Sequence, residues 1–394
     1  MRIDRAESDG FRSQGESIVS APVVDRGLRR RWRAWRNAIL SSPRFQRWAA
    51  DFPPTRAIAR RRAGDLFGLL TGFVYSQILL ACVRVRLFEA IGDDAQSVEI
   101  LAQRCRLPPS AMDRLLRAAA SLRLVESAGE GRYALGPQGA TLRGNPSLAA
   151  MIEHHALFYA DLTDPVALLK GEIERPALQR FWAYADRAAP SAVAPDEAAA
   201  YSSLMAATQG FIADDVLDAY AFGRHRSVLD VGGGEGAFLI AVGKRHAGLA
   251  LRLFDLPPVA ERAAARFGLA GLGDRAAAIG GDFTTDALPQ GADLVTFVRV
   301  LHDHGDDTVN GLLCAAKAAL APGGTVLIAE PMAGTRGAET AGDGYFGMYF
   351  AAMGSGRARS ADALESHLRA AAFSQVRLHQ TRQPLLVRVM SARA

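Results

Sequence analysis

From Arg226 onward, five short apolar runs alternate with longer helical segments: SVLDV, LRLFD, AAAIG, DLVTFV and GTVLIAE. No other feature constrains the fold of this chain as strongly. Runs this short and continuously apolar read as strands covered on both faces, and strands separated by helices join through right-handed β-α-β crossovers into a parallel sheet. QVRLH and PLLVRVM, close together near the C-terminus, are expected to add a hairpin to that sheet.

The 394 residues suffice for two ordinary domains, and the front of the chain has a different character. Its first ~25 residues are polar, read as a disordered tail, and lack the apolar core of a signal peptide. Residues 26–62 hold twelve arginines against one acid, Asp51, although the whole chain carries only +5. Trp32, Trp35, Phe45 and Trp48 are interleaved with those arginines. Arginine with tryptophan on a short helix suits an anionic membrane surface, and the same mixture can bind nucleic acid or pack on a partner subunit. Residues 66–83 then contain no charge, and Gly68 and Gly72 form a G-x-x-x-G pair. Eighteen residues reach the lower limit for a membrane span, while a buried helix at a subunit interface has the same composition.

Residues 97–135 read as helix, turn, helix, wing. SVEILAQRCR has helical spacing and ends at Pro108-Pro109, and Ser110 is expected to cap AMDRLLRAAASLRLV. Met112, Leu115, Leu116, Ala119 and Leu122 then share one face, and GEGRYALG supplies the hairpin. A winged helix suggests DNA binding, but Arg114, Arg117 and Arg123 are few cations for a groove-reading element, and no specific nucleic acid is expected. Residues 150–220 are largely helical, broken at Pro165, Pro176, Pro190 and Pro195, with APSAVAPDEAAA as a boundary loop. The expected division is a basic arm (1–60), a helical domain (61–200) and an α/β domain (201–394). Cys82, Cys105 and Cys314 are too far apart in sequence to make a metal or redox pair. The expectation is a cytoplasmic protein without a metal.

The chemistry concentrates at the ends of the apolar runs. In VLDVGGGEGAF (228–238), a strand ends near Asp230 and the glycines form a tight turn into a helix. Such a turn lets backbone approach a ligand at the carboxyl end of the first strand. The looser dinucleotide fingerprint is also met by Gly232, Gly234 and Ala237, so glycine spacing alone leaves a nicotinamide open. Asp230 favours S-adenosylmethionine, because a carboxylate can hold its ammonium and would repel a pyrophosphate. Asp255, ending LRLFD, can accept ribose hydroxyls of either cofactor. Asp282 and Phe283, in GGDF, can bracket an adenine by hydrogen bond and stacking. No Tyr-x-x-x-Lys pair of an oxidoreductase follows the glycine turn.

VRVLHDHGDD (298–307) ends the fourth run on the same edge as the glycine turn. His302 can take a proton from an acceptor hydroxyl there, and it can equally be a structural histidine. Asp303 reads as a loop anchor, and Glu330, ending the fifth run, can orient the imidazole. Phe158, Tyr159, Phe181, Trp182, Tyr345, Met348, Tyr349 and Met353 are candidate lining for an apolar acceptor pocket, or ordinary core.

LDVGGGEG, FDLP, GGDF and LHD, in that order, resemble the small-molecule O-methyltransferases typified by the plant phenol methyltransferases. PRFQRWAADFP and ARRRAGDLFGLLTGFVYSQILLACVRVRLFEA are most similar to bacterial hydroxyneurosporene (demethylspheroidene) O-methyltransferases. The resemblance spans about residues 65–390. It implies a Rossmann-like class I methyltransferase domain with a mostly parallel seven-stranded sheet, preceded by a mainly α-helical winged-helix dimerisation domain. It further implies a homodimer, S-adenosyl-L-methionine as methyl donor, S-adenosyl-L-homocysteine as product, and a hydrophobic acceptor. For the carotenoid enzymes that acceptor is a tertiary 1-hydroxyl; for the wider family it is a phenolic or polyketide hydroxyl. Carried over by position, Asp230, Gly232, Gly234, Asp255, Asp282 and Phe283 match the cofactor contacts, and His302 matches the base. Glu330 matches one acid flanking that base, whereas the other acidic position falls at Ala358. Met205 matches an acceptor-pocket methionine and is equally a core candidate. A membrane-borne acceptor would give residues 26–62 a task at the inner face of a membrane.

Overall fold

The computed structural model describes residues 24–181, 209–210 and 212–394. Nearly all of the expected tail, and the boundary loop APSAVAPDEAAA, lie outside them. The chain forms two compact units, one ending at Gln77 and one beginning at Ile78.

The first unit is helical. Helix α1 spans Val24–Leu40, α2 spans Pro43–Asp51 and α3 begins at Pro53 and runs to Arg84. Ser42 caps α2, its hydroxyl accepting from Phe45 N–H at 3.5 Å, and proline opens the helix where its missing N–H costs nothing. Trp48 stacks on Phe52 at 5.0 Å, and Arg36 lies over Trp32 at 5.3 Å. Trp32, Trp35 and Trp48 are nevertheless exposed, as are Leu66, Phe67, Leu69, Leu70 and Phe73. The uncharged run therefore belongs to a 32-residue helix, and by length and composition that helix could cross a membrane. The helix stops at Arg84: Arg86 adopts φ 54° and a separate helix, α4 (Leu87–Ile91), follows.

The second unit starts with a small core of Cys82, Leu87, Ile91, Leu101, Met112, Leu116 and Val125. Strand β1 (Gln96–Ser97) leads to α5 (Val98–Cys105), α6 (Pro109–Ser121), β2 (Val125–Ser127) and β3 (Arg132–Leu135). These strands pair antiparallel in the order β1-β3-β2. Two local readings change. Helix α5 ends at Arg106 in the left-handed region rather than at the proline pair, and Pro109 starts α6, so Ser110 lies inside its first turn. Helices α7 (Pro137–Arg143), α8 (Pro146–Asp161) and α9 (Pro165–Lys170) also begin on proline, so Pro165 starts a helix rather than merely breaking one. Buried Asp161 closes this region, its carboxylate accepting from the N–H groups of Ala177 (2.6 Å) and Leu178 (2.8 Å) at the start of α10 (Ala177–Phe181).

The seven-stranded sheet comprises β4 (Ser227–Val231), β5 (Ala250–Asp255), β6 (Ala276–Gly280), β7 (Ala292–Val298), β8 (Leu320–Glu330), β9 (Ser374–His379) and β10 (Arg388–Arg393). Their order is β6-β5-β4-β7-β8-β10-β9; the first five run parallel and β10 is antiparallel to both neighbours. Between them lie α11 (Ala237–Arg245), α12 (Pro257–Leu269), α13 (Asp306–Ala319), α14 (Phe346–Met353) and α15 (Ala361–Ala370). The last strand is RVMSAR, not PLLVRVM, because Val387 still belongs to the turn closed by its N–H to the Gln383 carbonyl at 3.2 Å.

Alternate residues enter opposite cores: Leu229, Val231, Val295 and Phe297 one, Val228, Leu251, Leu253 and Leu294 the other. Each buried side chain of this size contributes about 1.5–3 kcal/mol, which explains why apolar residues in the runs point to both faces rather than falling at every second position. The strand order reverses between β4 and β7. In such sheets the crevice beyond the carboxyl ends at the reversal receives ligands. Helix α14 carries Tyr349, Phe350 and Met353 into a further apolar cluster with Phe158, Leu168 and Leu178.

Candidate active site

The glycine turn leaves β4 at that reversal. Gly232, Gly234 and Gly236 have φ of 69°, 58° and 77°, which other residues rarely adopt. A Cβ on Gly236 would lie 2.5 Å from the Phe267 ring, so glycine there also admits close packing of α12. At Gly234 a Cβ would meet nothing within 4 Å: the backbone faces open space.

Three carboxylates surround the turn. Asp230 is completely buried; its Oδ1 accepts from Thr296 Oγ1 at 2.6 Å, while Oδ2, under Gly233, has no hydrogen-bond partner among the described residues. Thr296 sits in register beside Asp230 in the β4–β7 pair, and it is the one hydroxyl in the run DLVTFV. Burial pushes the Asp230 carboxyl up to about 7, against the pull of that hydroxyl, and Asp255 nearby raises it further. Asp255, at the end of β5, accepts from Gly234 N–H and Leu256 N–H, both at 2.8 Å. Its carboxyl is raised to about 6, mainly by burial. Asp282 closes a turn, its Oδ1 accepting from Thr284 N–H (2.8 Å) and Thr284 Oγ1 (2.6 Å). The neighbouring Phe283 reaches the glycine turn, within 3.4 Å of a Cβ placed on Gly232, and meets the His304 ring edge-on at 5.4 Å.

The second cluster caps β7 and β8. Leu301–Asp303 form one 3-10 turn, and His302 is buried within it. Its backbone N–H donates to Glu330 Oε2 at 3.1 Å, and that same oxygen lies 4.0 Å from His302 Nδ1. Nε2 lies 3.2 Å from Asp303 Oδ1, off line for a hydrogen bond, and the ring packs on Phe350 at 5.0 Å. Burial, then the positive charge of Arg299, holds the imidazole well below its usual 6.5. Burial raises Glu330, which is completely buried, to about 7, and carries Asp303 well above the ordinary carboxyl value. Asp303, read from sequence as a loop anchor, thus has its carboxylate at the imidazole as well. Ala358, in place of a second acid, packs on the apolar cluster around Tyr349.

Above this cluster two histidines of α8 meet two tyrosines one helical turn apart. His154 Nε2 lies 2.7 Å from the Tyr349 hydroxyl, and His155 Nε2 lies 2.7 Å from that of Tyr345. Phe158 meets both tyrosine rings edge-on. Met205 and Trp182 lie outside the described residues. Sequence reading missed Thr296, His154, His155 and Arg299; of these only Thr296 left a signal, as a hydroxyl in an apolar run.

Comparison with known proteins gives the family. Residues 159–374 match the O-methyltransferase domain, and residues 67–144 match the O-methyltransferase dimerisation domain. The chain is 42% identical to the demethylspheroidene O-methyltransferase of Cereibacter sphaeroides, over 90% of this chain and 93% of that one. It is 39% identical to the enzyme of the same name from Rhodobacter capsulatus, over 90% and 88%. Among solved structures, human N-acetylserotonin methyltransferase in complex with SAM superposes with a TM-score of 0.70 at 21% identity, covering 84% of this chain and 97% of that one. A methyltransferase of calicheamicin biosynthesis in its SAH-bound form gives 0.70 at 26%, covering 84% and 98%.

The buried carboxyls carry a pH signature. A carboxyl raised in the folded state stabilises it below the unfolded value, near 4, and that contribution is lost as pH rises through the folded value. The lowered His302 works oppositely, its contribution being lost as pH falls. Asp230→Asn keeps the acceptor for Thr296 and removes the charge. Relative to the unsubstituted chain, it is expected to gain stability in thermal melts between about pH 5 and about pH 8. A difference that stays constant across that range would rule out a raised Asp230.

Proposed function

The chain belongs to the S-adenosylmethionine-dependent O-methyltransferase family and carries its dimerisation domain, and on that premise we propose that it methylates the tertiary hydroxyl of an acyclic carotenoid with His302 as general base. The support for the acceptor is the pair of carotenoid-enzyme relatives that match 90% of the chain.

The residues present fit the methyl donor. The open space over Gly234 and the unpartnered Asp230 Oδ2 are what a close-lying cation requires, since an opposite charge restores the ionised form of a buried carboxyl. Both Asp255 oxygens retain lone pairs beyond the two backbone donors, enough for two ribose hydroxyls. Phe283, beside Gly232, offers a ring to the adenine, and Asp282 an oxygen. Bound there, S-adenosylmethionine supplies an electrophilic methyl group and leaves as S-adenosylhomocysteine.

His302 acts on the acceptor oxygen. An alkanol is close to water in acidity, about 15.7, so no neutral imidazole ionises it in advance. The proton moves to His302 as the C–O bond forms, and a ring kept neutral by burial is ready to receive it. Glu330 and Asp303 then face an imidazolium, and both are positioned to stabilise it. No metal has a role in this sequence of events. Tyr349 and Tyr345, whose hydroxyls lie 2.7 Å from His154 and His155, keep their rings within an apolar cluster, which suits an apolar acceptor. The exposed tryptophans among the arginines of residues 26–62 support contact with an anionic, cytoplasmic membrane face, where such an acceptor resides. We retain the division into an arm (1–60), a helical winged-helix-like domain (61–200) and a cofactor domain (201–394).

His302→Ala is expected to lower turnover about 10²–10⁴-fold with cofactor affinity by calorimetry nearly unchanged; full activity would make His302 structural. Acceptor choice is tested with labelled S-adenosylmethionine against catechol-type phenols and liposomes carrying acyclic 1-hydroxycarotenoids. Transfer to the carotenoid is expected. Removal of residues 1–55 should impair liposome-borne substrate more than detergent-dispersed substrate, by a margin that shrinks as salt screens the arginines. Efficient phenol methylation with an indifferent arm would defeat both the acceptor and the membrane reading.

A further inference from the structure

The turn that carries His302 is held from behind by one short segment. After α14, Gly354 takes φ 74° and the chain crosses beneath residues 301–304 on its way to α15. Gly356 passes so close that a Cβ there would lie 2.1 Å from the His302 carbonyl oxygen. Every carbonyl of the turn then finds a donor in this segment. Arg359 Nη1 donates to Leu301 O at 2.9 Å, Arg357 N–H to His302 O at 2.8 Å, Ser355 Oγ to Asp303 O at 3.0 Å and Arg359 Nη2 to His304 O at 2.7 Å.

Of these donors only Arg359 bridges the turn. Its side chain is fully buried, and a guanidinium in that state is tolerated only when its donors are paired. Nε and Nη2 also donate to Asp306 Oδ1, at 3.0 and 2.7 Å. The backbone of Arg359 is fixed in turn, its carbonyl accepting from Ala333 N–H at 3.0 Å just beyond the strand that ends in Glu330. Buried arginine, imidazole turn and Glu330 therefore form one frame.

We propose that Arg359 is the positioning residue for His302: one planar guanidinium ties the carbonyls of Leu301 and His304, on either side of the imidazole, and so fixes where the ring points. An ammonium cannot span both carbonyls and Asp306 with the same geometry. The proposal rests on His302 being the base. Arg359 also acts through charge, as do Arg299 and His304, and the three oppose protonation of the imidazole while Asp303 and Glu330 face it from the other side.

The test uses the full chain with Arg359→Lys, Arg359→Met, Asp306→Asn and His302→Ala, assayed on liposome-borne 1-hydroxycarotenoid, with active sites counted by binding of S-adenosylhomocysteine. Arg359→Lys and Arg359→Met are expected to lower kcat per binding site about 10–100-fold, with cofactor affinity within about threefold. Arg359→Met should also move the acid limb of the kcat profile to higher pH, because a cation beside the imidazole is gone, whereas Arg359→Lys should leave that limb in place. A purely structural arginine would reduce the number of binding sites and leave kcat per site and the acid limb untouched, which overturns the proposal. Should Arg359→Met not fold, Arg359→Lys and Asp306→Asn decide: wild-type kcat per site in both overturns it, and a loss in both supports it. If His302→Ala itself keeps full turnover, the general-base reading fails first, and the two failures are thereby told apart.

Discussion

Charge buried at the carboxyl edge of an apolar sheet is the constraint on which the site depends. Asp230 and Glu330 lie at the carboxyl ends of strands β4 and β8, both are completely inaccessible, and each keeps one oxygen without a hydrogen-bond partner among the described residues. Burial outweighs the single hydroxyl on Asp230 and the backbone N–H on Glu330, so both carboxyls are raised to about 7. Such groups cost stability in isolation and become favourable when opposite charge arrives. The same low-dielectric setting keeps the His302 imidazole neutral. On the proposed function, one physical condition thus prepares both the cation site beside the glycine turn and the proton acceptor near it.

The proposed proton transfer needs the imidazole held still, since no flexible side chain keeps a productive line to a hydroxyl. The frame consists of short contacts to backbone rather than of a second carboxylate. Glu330 takes the N–H of His302 and the segment after α14 takes the four carbonyls. The absence of an acid at Ala358 is therefore accompanied by a buried arginine one residue later, turned towards the imidazole turn while Ala358 turns towards the apolar cluster.

Much of this was legible in the sequence, for identifiable reasons. The five apolar runs became parallel strands because burial on both faces leaves a continuous pattern that no amphipathic helix shares, and the ordered motifs pointed to one crevice. Local punctuation was harder. Proline was read as a stop at Pro108-Pro109 and Pro165, where it starts a helix, because the residue tolerates the first turn as readily as it ends the last. The last strand was read too early because PLLV is more apolar than VMSA, while its true start at Arg388 is set by the turn hydrogen bond of Val387 and by pairing with its neighbours. Arg359 and the His–Tyr pairs were invisible, since their partners lie about 55 and 190 residues away in sequence.

The account stands on a buried, neutral His302 in the resting enzyme. Nitrogen NMR of the chain labelled in its histidine rings, with the His302 signals identified by a His302→Gln variant, measures this directly. A neutral imidazole at neutral pH, resisting protonation well below the ordinary value of about 6.5, is the expected result. An imidazolium at neutral pH would contradict the account, because a ring already protonated cannot take the acceptor's proton.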